Sequence, residues 1–210
     1  MFEQFLENFK LTNRYENKTT EQVLLPSIFS KAIGAAEFLY KFEGSTFNNG
    51  LYRLHQIVEI EKWTLIVESA FPYFKGRINC FAYDWLGRQF TLDSNRVSEG
   101  EPLLLMFDVG AGEALEISVS FNDFHNLIVD YPKDALASHL FSEWKTTVVH
   151  EVQLHECVGY KIPLFLNGKE ELSNLEVSSM KVYWELIGQI LQQVRKLPAG
   201  SQISKIEIRD

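Results

Sequence analysis

The residue types best suited to metal chemistry sit together in one short stretch: His150, Glu151, His155, Glu156 and Cys157. Imidazole, carboxylate and thiolate are all zinc donors. A helical zinc pair, however, needs the spacing H-x-x-x-H, and this stretch has one residue more. That offset sends two helical side chains to diverging faces, and on a strand it sends them to opposite faces. A surface loop with an incidental cysteine is the competing reading. Paired carboxylates recur at Glu59 and Glu61, Asp84 and Asp93, and Glu113 and Glu116. Acid–base catalysis needs two carboxyls with split pKa values in one pocket, and no pocket is apparent in the pattern. No G-x-S-x-G elbow is present. Gly110 and Gly112 lack the third glycine and the following helix of a dinucleotide site. Residues 44–50 lack the lysine of a phosphate loop. No enzyme motif emerges.

The elements that would position these groups centre on residues 77–93. Ile78, Cys80 and Ala82 alternate with Asn79, Phe81 and Tyr83, the period-two pattern of a strand. Asp84 to Gly87 is a turn, and the strand resumes from Gln89 to Asp93. Asp84 can fix that turn by accepting from the backbone two residues on. Trp85 either folds back onto the core or is offered to a partner, and the core reading is favoured. A second hairpin follows over 103–117, giving an antiparallel meander. Residues 94–102 between the hairpins are polar and expected to be exposed.

Helical stripes flank the meander. Phe2, Phe5, Leu6 and Phe9 form one. Residues 10–21 read as a loop. Pro26 opens a helix with Ile28, Phe29, Ala32, Ile33, Ala36, Leu39 and Tyr40 inward. Residues 44–50 read as a turn and 51–54 as a strand. A helix is predicted within 61–74, its end limited by Pro72. Ser120 is placed to cap another, with Asp123 in its first turn. Pro132 opens a helix buried through Leu136, Leu140, Phe141 and Trp144. Residues 158–166 read as extended, ending in a turn at Asn167 and Gly168. Ser178 or Ser179 caps the longest helix, and 202–208 reads as a final strand.

Composition narrows the class. With 210 residues, 46% hydrophobic and 23% charged, the chain is an ordinary globular protein. A net charge of −8 argues against direct nucleic-acid partners and against anionic membrane surfaces. It suits a basic protein partner. The two cysteines form no CxxC pair, and the N-terminus has neither a signal-peptide pattern nor a membrane-length apolar run, so a cytoplasmic location is expected.

Several stretches carry a family likeness: Leu25-Pro26 at a helix entry, Asn48-Asn49-Gly50, F-A-Y-D-W-L-G-R-Q-F at 81–90, and G-E-A-L-E-I followed by S-F-x-D-F at 112–124. The most specific are G-Y-K-I-P-L-F-L-N-G-K-E at 159–170 and N-L-E-V-S-S-M-K-V-Y-W at 174–184. The sequence resembles bacterial immunity proteins of the Tdi type, associated with type VI secretion, with a GAD-like region over 1–99 and a Tdi-type region over 100–210 packed as one unit. More distantly it is similar to the SUKH immunity superfamily. The resemblance implies an α+β, SUKH-like fold: a central antiparallel β-meander with helices on one side. It implies binding rather than catalysis, no cofactor, and a cognate protein toxin as partner, with nucleases among the candidates. Glu59, Glu61, Asp84, Trp85, Asp93, Glu99 and Glu101, near the hairpin tips and adjoining loops, are the expected toxin contacts. An aromatic ligand pocket among Tyr73, Phe81 and Trp85 is the alternative. A metal enzyme using His150, His155 and Cys157 is a third reading.

Overall fold

The computed structural model describes residues 1–15, 23–198 and 206–208. Among them, seven strands form one antiparallel sheet in sequential order. The strands are β1 (Leu11–Arg14), β2 (Ser45–Phe47), β3 (Tyr52–Leu54), β4 (Ile78–Asp84), β5 (Gln89–Ser98), β6 (Glu101–Asp108) and β7 (Glu113–Ile117). The central meander is as expected, and it extends further. β1 lies where a loop was expected, because all four of its residues are exposed and it shows no alternation. β2 takes part of the expected 44–50 turn, leaving left-handed Asn48 and Asn49 to turn the chain. Residues 94–98 are exposed apart from half-buried Arg96, but as a continuation of β5 rather than a loop.

The sheet is covered on both faces, which corrects the expectation of helices on one side. Neighbouring residues of β6 show why. Leu104 and Met106 join one core, while Leu105 and Phe107 join another, as strand alternation requires. The first core packs under α1 (Glu3–Asn8), α2 (Ala35–Phe42), α4 (Phe121–Asp130), α5 (Pro132–Leu136) and α6 (Ser138–Thr147). The second lies beneath α3 (Ile60–Ala70) and α7 (Met180–Val194). A separate two-stranded sheet pairs β8 (Glu156–Tyr160) with β9 (Leu175–Ser179).

Several helices are shorter than their stripes predict. The helix expected from Pro26 is a short turn at 27–30 followed by α2, with left-handed Gly34 between them. Its expected inward residues Ile33 and Tyr40 are exposed as a result. The 61–74 helix ends at Ala70, and Pro72 begins a separate turn. The helix from Pro132 breaks at left-handed Ala137. Ser120 caps α4 as predicted, accepting from the Asp123 N–H at 3.2 Å. Ser179 precedes α7 without a side-chain cap. The expected final strand falls partly outside the described residues, and 206–208 are not a strand.

Two histidines are locked inside the cores as neutral rings. His125 Nδ1–H donates to the Phe121 carbonyl at 2.8 Å, and its Nε2 accepts from the Tyr52 hydroxyl at 3.3 Å. His55 stands between Trp63 and Tyr83 and meets Gln89 at 2.7 Å. Burial holds His125 down at about 4. Burial, with help from Arg53 and Lys62, holds His55 at about 3. In the unfolded chain each ionises near 6.5, so below that pH the unfolded state binds more protons. Stability is expected to fall as pH drops from 6.5 toward the folded values, by roughly 1.4 kcal/mol per pH unit for each ring. Comparing urea unfolding of the wild type and His125→Asn at pH 7 and pH 5 isolates one ring. The variant should lose about one ring's share of the slope, and an unchanged slope would refute the assignment.

Candidate interaction face

The turn at 84–88, the centre of the expected contact area, is buried. Asp84 and Trp85 are both 0% exposed. Asp84 Oδ1 accepts from the Leu86 and Arg88 N–H groups, each at 3.0 Å, and Oδ2 accepts from Arg88 Nε at 2.6 Å. Burial pushes the Asp84 carboxyl up, and the Arg88 charge and hydrogen bonds pull against it. Burial also opposes the Arg88 charge, but Asp84 and Asp108 outweigh it and raise its pKa.

Four further groups on this turn are taken by residues 135–184, while the Trp85 N–H donates to the Leu51 carbonyl at 3.3 Å. Arg88 donates to the Ala135 carbonyl at 3.1 Å, and Trp85 Nε1 donates to the Leu136 carbonyl at 3.0 Å. The Val158 N–H reaches the Trp85 carbonyl at 2.8 Å. Trp184 Nε1 reaches the Gly87 carbonyl at 2.7 Å. Arg53 ties the same region from β3, donating to the Gln153 and Glu156 carbonyls at 2.7 and 2.8 Å and to the Asp84 carbonyl at 3.0 Å. Gly87 is required here: its φ is +79°, and a Cβ would lie 2.9 Å from that of Cys157. The turn is therefore the internal dock for the C-terminal third, which corrects its reading as a toxin contact. Asp93 is likewise 0% exposed and paired with Arg77, so it is not a surface contact either.

The remaining expected contacts separate into two places. Glu59 pairs with Lys62 at 2.9 Å near the start of α3, and Glu61 is exposed beside it. That end of α3 lies by Tyr83, whose phenol Glu59 helps to raise. Glu99 and Glu101 lie at the far end of β5, which β6 spans from Phe107 to Glu101, so roughly 20 Å from Gln89 along the strand. Glu99 is exposed, and Glu101 Oε2 accepts from the Ile33 N–H at 2.7 Å.

That far end is the open one. Tyr73 is 82% exposed, Ile33 58% and Val97 56%. Arg77 lies over the Tyr73 ring with its guanidinium carbon 5.8 Å from the centroid. A shallow cavity of about 220 Å³ opens there, lined by Ile28, Lys31, Gly76, Val97 and Pro102 among others. Val97 lines this cavity, and Tyr73 reaches its rim through Arg77, which neighbours Gly76. Sequence reading passed over Val97, although a lone valine in a polar run was a visible signal. Ile33 was assigned inward because the Gly34 break was not foreseen.

The alternative sites do not assemble. Phe81 and Trp85 are buried in the first core and Tyr73 is on the surface, so the three do not form one pocket. His150 Nε2 meets Glu156 Oε2 at 2.7 Å, but Cys157 is buried and its thiol is pushed up to about 12 by burial. Among the described residues no three His, Cys, Asp or Glu side chains converge to hold a metal ion. No helix among them is long and apolar enough to cross a membrane.

Comparison with known proteins agrees with the family likeness where it is most specific. Residues 130–191 match the family described as "T6SS immunity protein Tdi1, C-terminal". The matched span contains both C-terminal motifs singled out in the sequence, and it contributes Ala135, Leu136, Val158 and Trp184 to the dock on the 84–88 turn. No curated protein matches the chain. The crystal structure of Atu4351 from Agrobacterium tumefaciens is similar at a TM-score of 0.60 and 11% identity, covering 90% of this chain and 89% of that one. At that identity the likeness establishes the fold, and it spans nearly the whole chain.

Proposed function

We propose that this chain is a cytoplasmic immunity protein that binds and neutralises a cognate secreted bacterial toxin, with nucleases among the candidate toxin classes. The match of residues 130–191 to an immunity-protein family carries this reading. The fold adds a division of labour. The C-terminal third closes one end of the sheet, and we assign the toxin contact to the other end, supported by the exposure of Tyr73, Val97 and Glu99. A net charge of −8 speeds encounter with a basic toxin. Neutralisation then needs only tight, shape-matched binding over the toxin's active site, with no chemistry from this chain.

Capture of the toxin from native lysate with the tagged chain, followed by co-expression, tests the role. A captured protein that arrests growth alone and is silenced by co-expression supports it. A captured protein whose toxicity is unaffected contradicts it. With the toxin in hand, Tyr73→Ala combined with Val97→Asp should weaken binding by about 100-fold or more, because exposed aromatic anchors dominate such interfaces. The thermal midpoint should be unchanged. Glu99→Lys should mainly slow association at low salt, whereas Glu59→Lys with Glu61→Lys should have little effect. The reverse pattern would move the contact face to the start of α3.

A further inference from the structure

The hairpin joining β5 to β6 turns in two residues. Ser98 pairs with Glu101 across the ladder, so Glu99 and Gly100 alone make the connection. Both are left-handed, with φ of +52° and +87°. This turn type suits the twist of paired strands, and its usual sequence is asparagine or aspartate followed by glycine. The short side chains of asparagine and aspartate tolerate a left-handed backbone by bonding locally. Glutamate has no such local advantage, and its backbone there is strained.

The other left-handed positions show how this chain ordinarily meets that strain. Asn48, Asn49 and Asn167 meet it with asparagine. Phe2 and Ala137 are not asparagines, but both pack into the first core, and burial offsets the strain. Glu99 has neither compensation. It is exposed, and among the described residues its side chain has no hydrogen bond and no ion pair. The groups around it are committed elsewhere. Glu101 holds the Ile33 N–H. Arg96 donates to the Leu104 carbonyl at 2.7 Å and to the Ser118 hydroxyl at 3.0 Å, and pairs with Glu116 at 3.4 Å. Arg77 pairs with Asp93. The hairpin is thus fixed up to its tip, and the tip carries a bare carboxylate.

We propose that Glu99 is a specificity-determining residue, held in a strained turn at some loss of stability so that its carboxylate meets a lysine or arginine side chain of the toxin. This rests on the assignment of the toxin contact to this end of the sheet. An Asn-Gly tip would build the same hairpin with less strain and no charge. A carboxylate on a tight, anchored turn has little freedom to lose on binding. Its charge selects a basic surface over a neutral or acidic one, chiefly through the rate of encounter.

Three variants of the full chain separate strain from charge. Glu99→Asp relieves the strain and keeps the charge, Glu99→Asn relieves the strain and removes the charge, and Glu99→Ala removes the charge alone. The thermal midpoint should rise by about 2–4 °C for the aspartate and asparagine variants and stay at the wild-type value for alanine. Association with the protein captured from native lysate should be about three-fold slower at low salt for the asparagine and alanine variants, with aspartate close to the wild type. At high salt all four rates should converge. A midpoint that does not rise for Glu99→Asn and Glu99→Asp overturns the proposal. So does a captured protein that associates with Glu99→Asn as fast as with the wild type at low salt. The toxin reading survives either result. Capture of no protein at all overturns that reading and this proposal together.

Discussion

Asp84→Ala is expected to destabilise the fold by about 3–5 kcal/mol, the usual cost of removing one partner from a buried ion pair. Arg88 is 9% exposed and, among the described residues, has no other carboxylate within salt-bridge distance. Its guanidinium would be left buried with the Ala135 carbonyl as hydrogen-bond acceptor and only the less direct support of the Asp108 charge. The Leu86 and Arg88 N–H groups would lose their acceptor as well, opening the turn that separates β4 from β5. Asp84→Asn keeps an oxygen for those N–H groups but removes the charge, so it should fall between wild type and alanine. Urea unfolding checks both. A loss under about 1 kcal/mol for alanine would place Asp84 outside the dock and return it to the list of surface contacts.

Trp85→Ala should cost a similar amount, about 3–5 kcal/mol, by a different route. The indole is fully buried, with ring centroids 5.2 Å from Phe141 and 5.9 Å from Trp144. Its removal leaves a large cavity between the turn and α6 and strands the Leu136 carbonyl. Trp85→Phe fills most of the space but not the hydrogen bond, so a smaller loss of about 1–2 kcal/mol is expected. If Trp85 met a toxin instead, both variants would lose affinity while unfolding as the wild type does. Because Asp84 and Trp85 share one turn and one docked segment, their double variant should lose less than the sum.

The meander was legible because period two is written plainly into Ile78–Asp84 and Leu103–Phe107, and Gly87 marks the turn between its first strands. The Ser120 cap was equally plain. The edge strand β1 was not, since an exposed strand with one neighbour carries no hydrophobic alternation. The breaks at Gly34 and Ala137 were hidden inside continuous apolar stripes, because a helical pattern does not record where the chain turns left-handed. The fate of Asp84 was half visible: its local role at the turn follows from its position, but its burial depends on residues 135–184 folding over it. A charged hairpin tip looks the same in sequence whether it is bare or covered. The open end was legible in part, through Glu99 and Glu101, whereas Tyr73 and Val97 are meaningful there only once the opposite end is seen to be closed.

The central claim is that the closed end holds the protein together while the open end meets a toxin. It is tested most directly by growth rescue with the captured toxin co-expressed with three chains: the wild type, Tyr73→Ala with Val97→Asp, and Glu59→Lys with Glu61→Lys. Rescue by the first and third but not the second, with all three equally abundant and folded, is the predicted result. Full rescue by the Tyr73 and Val97 variant would contradict the account.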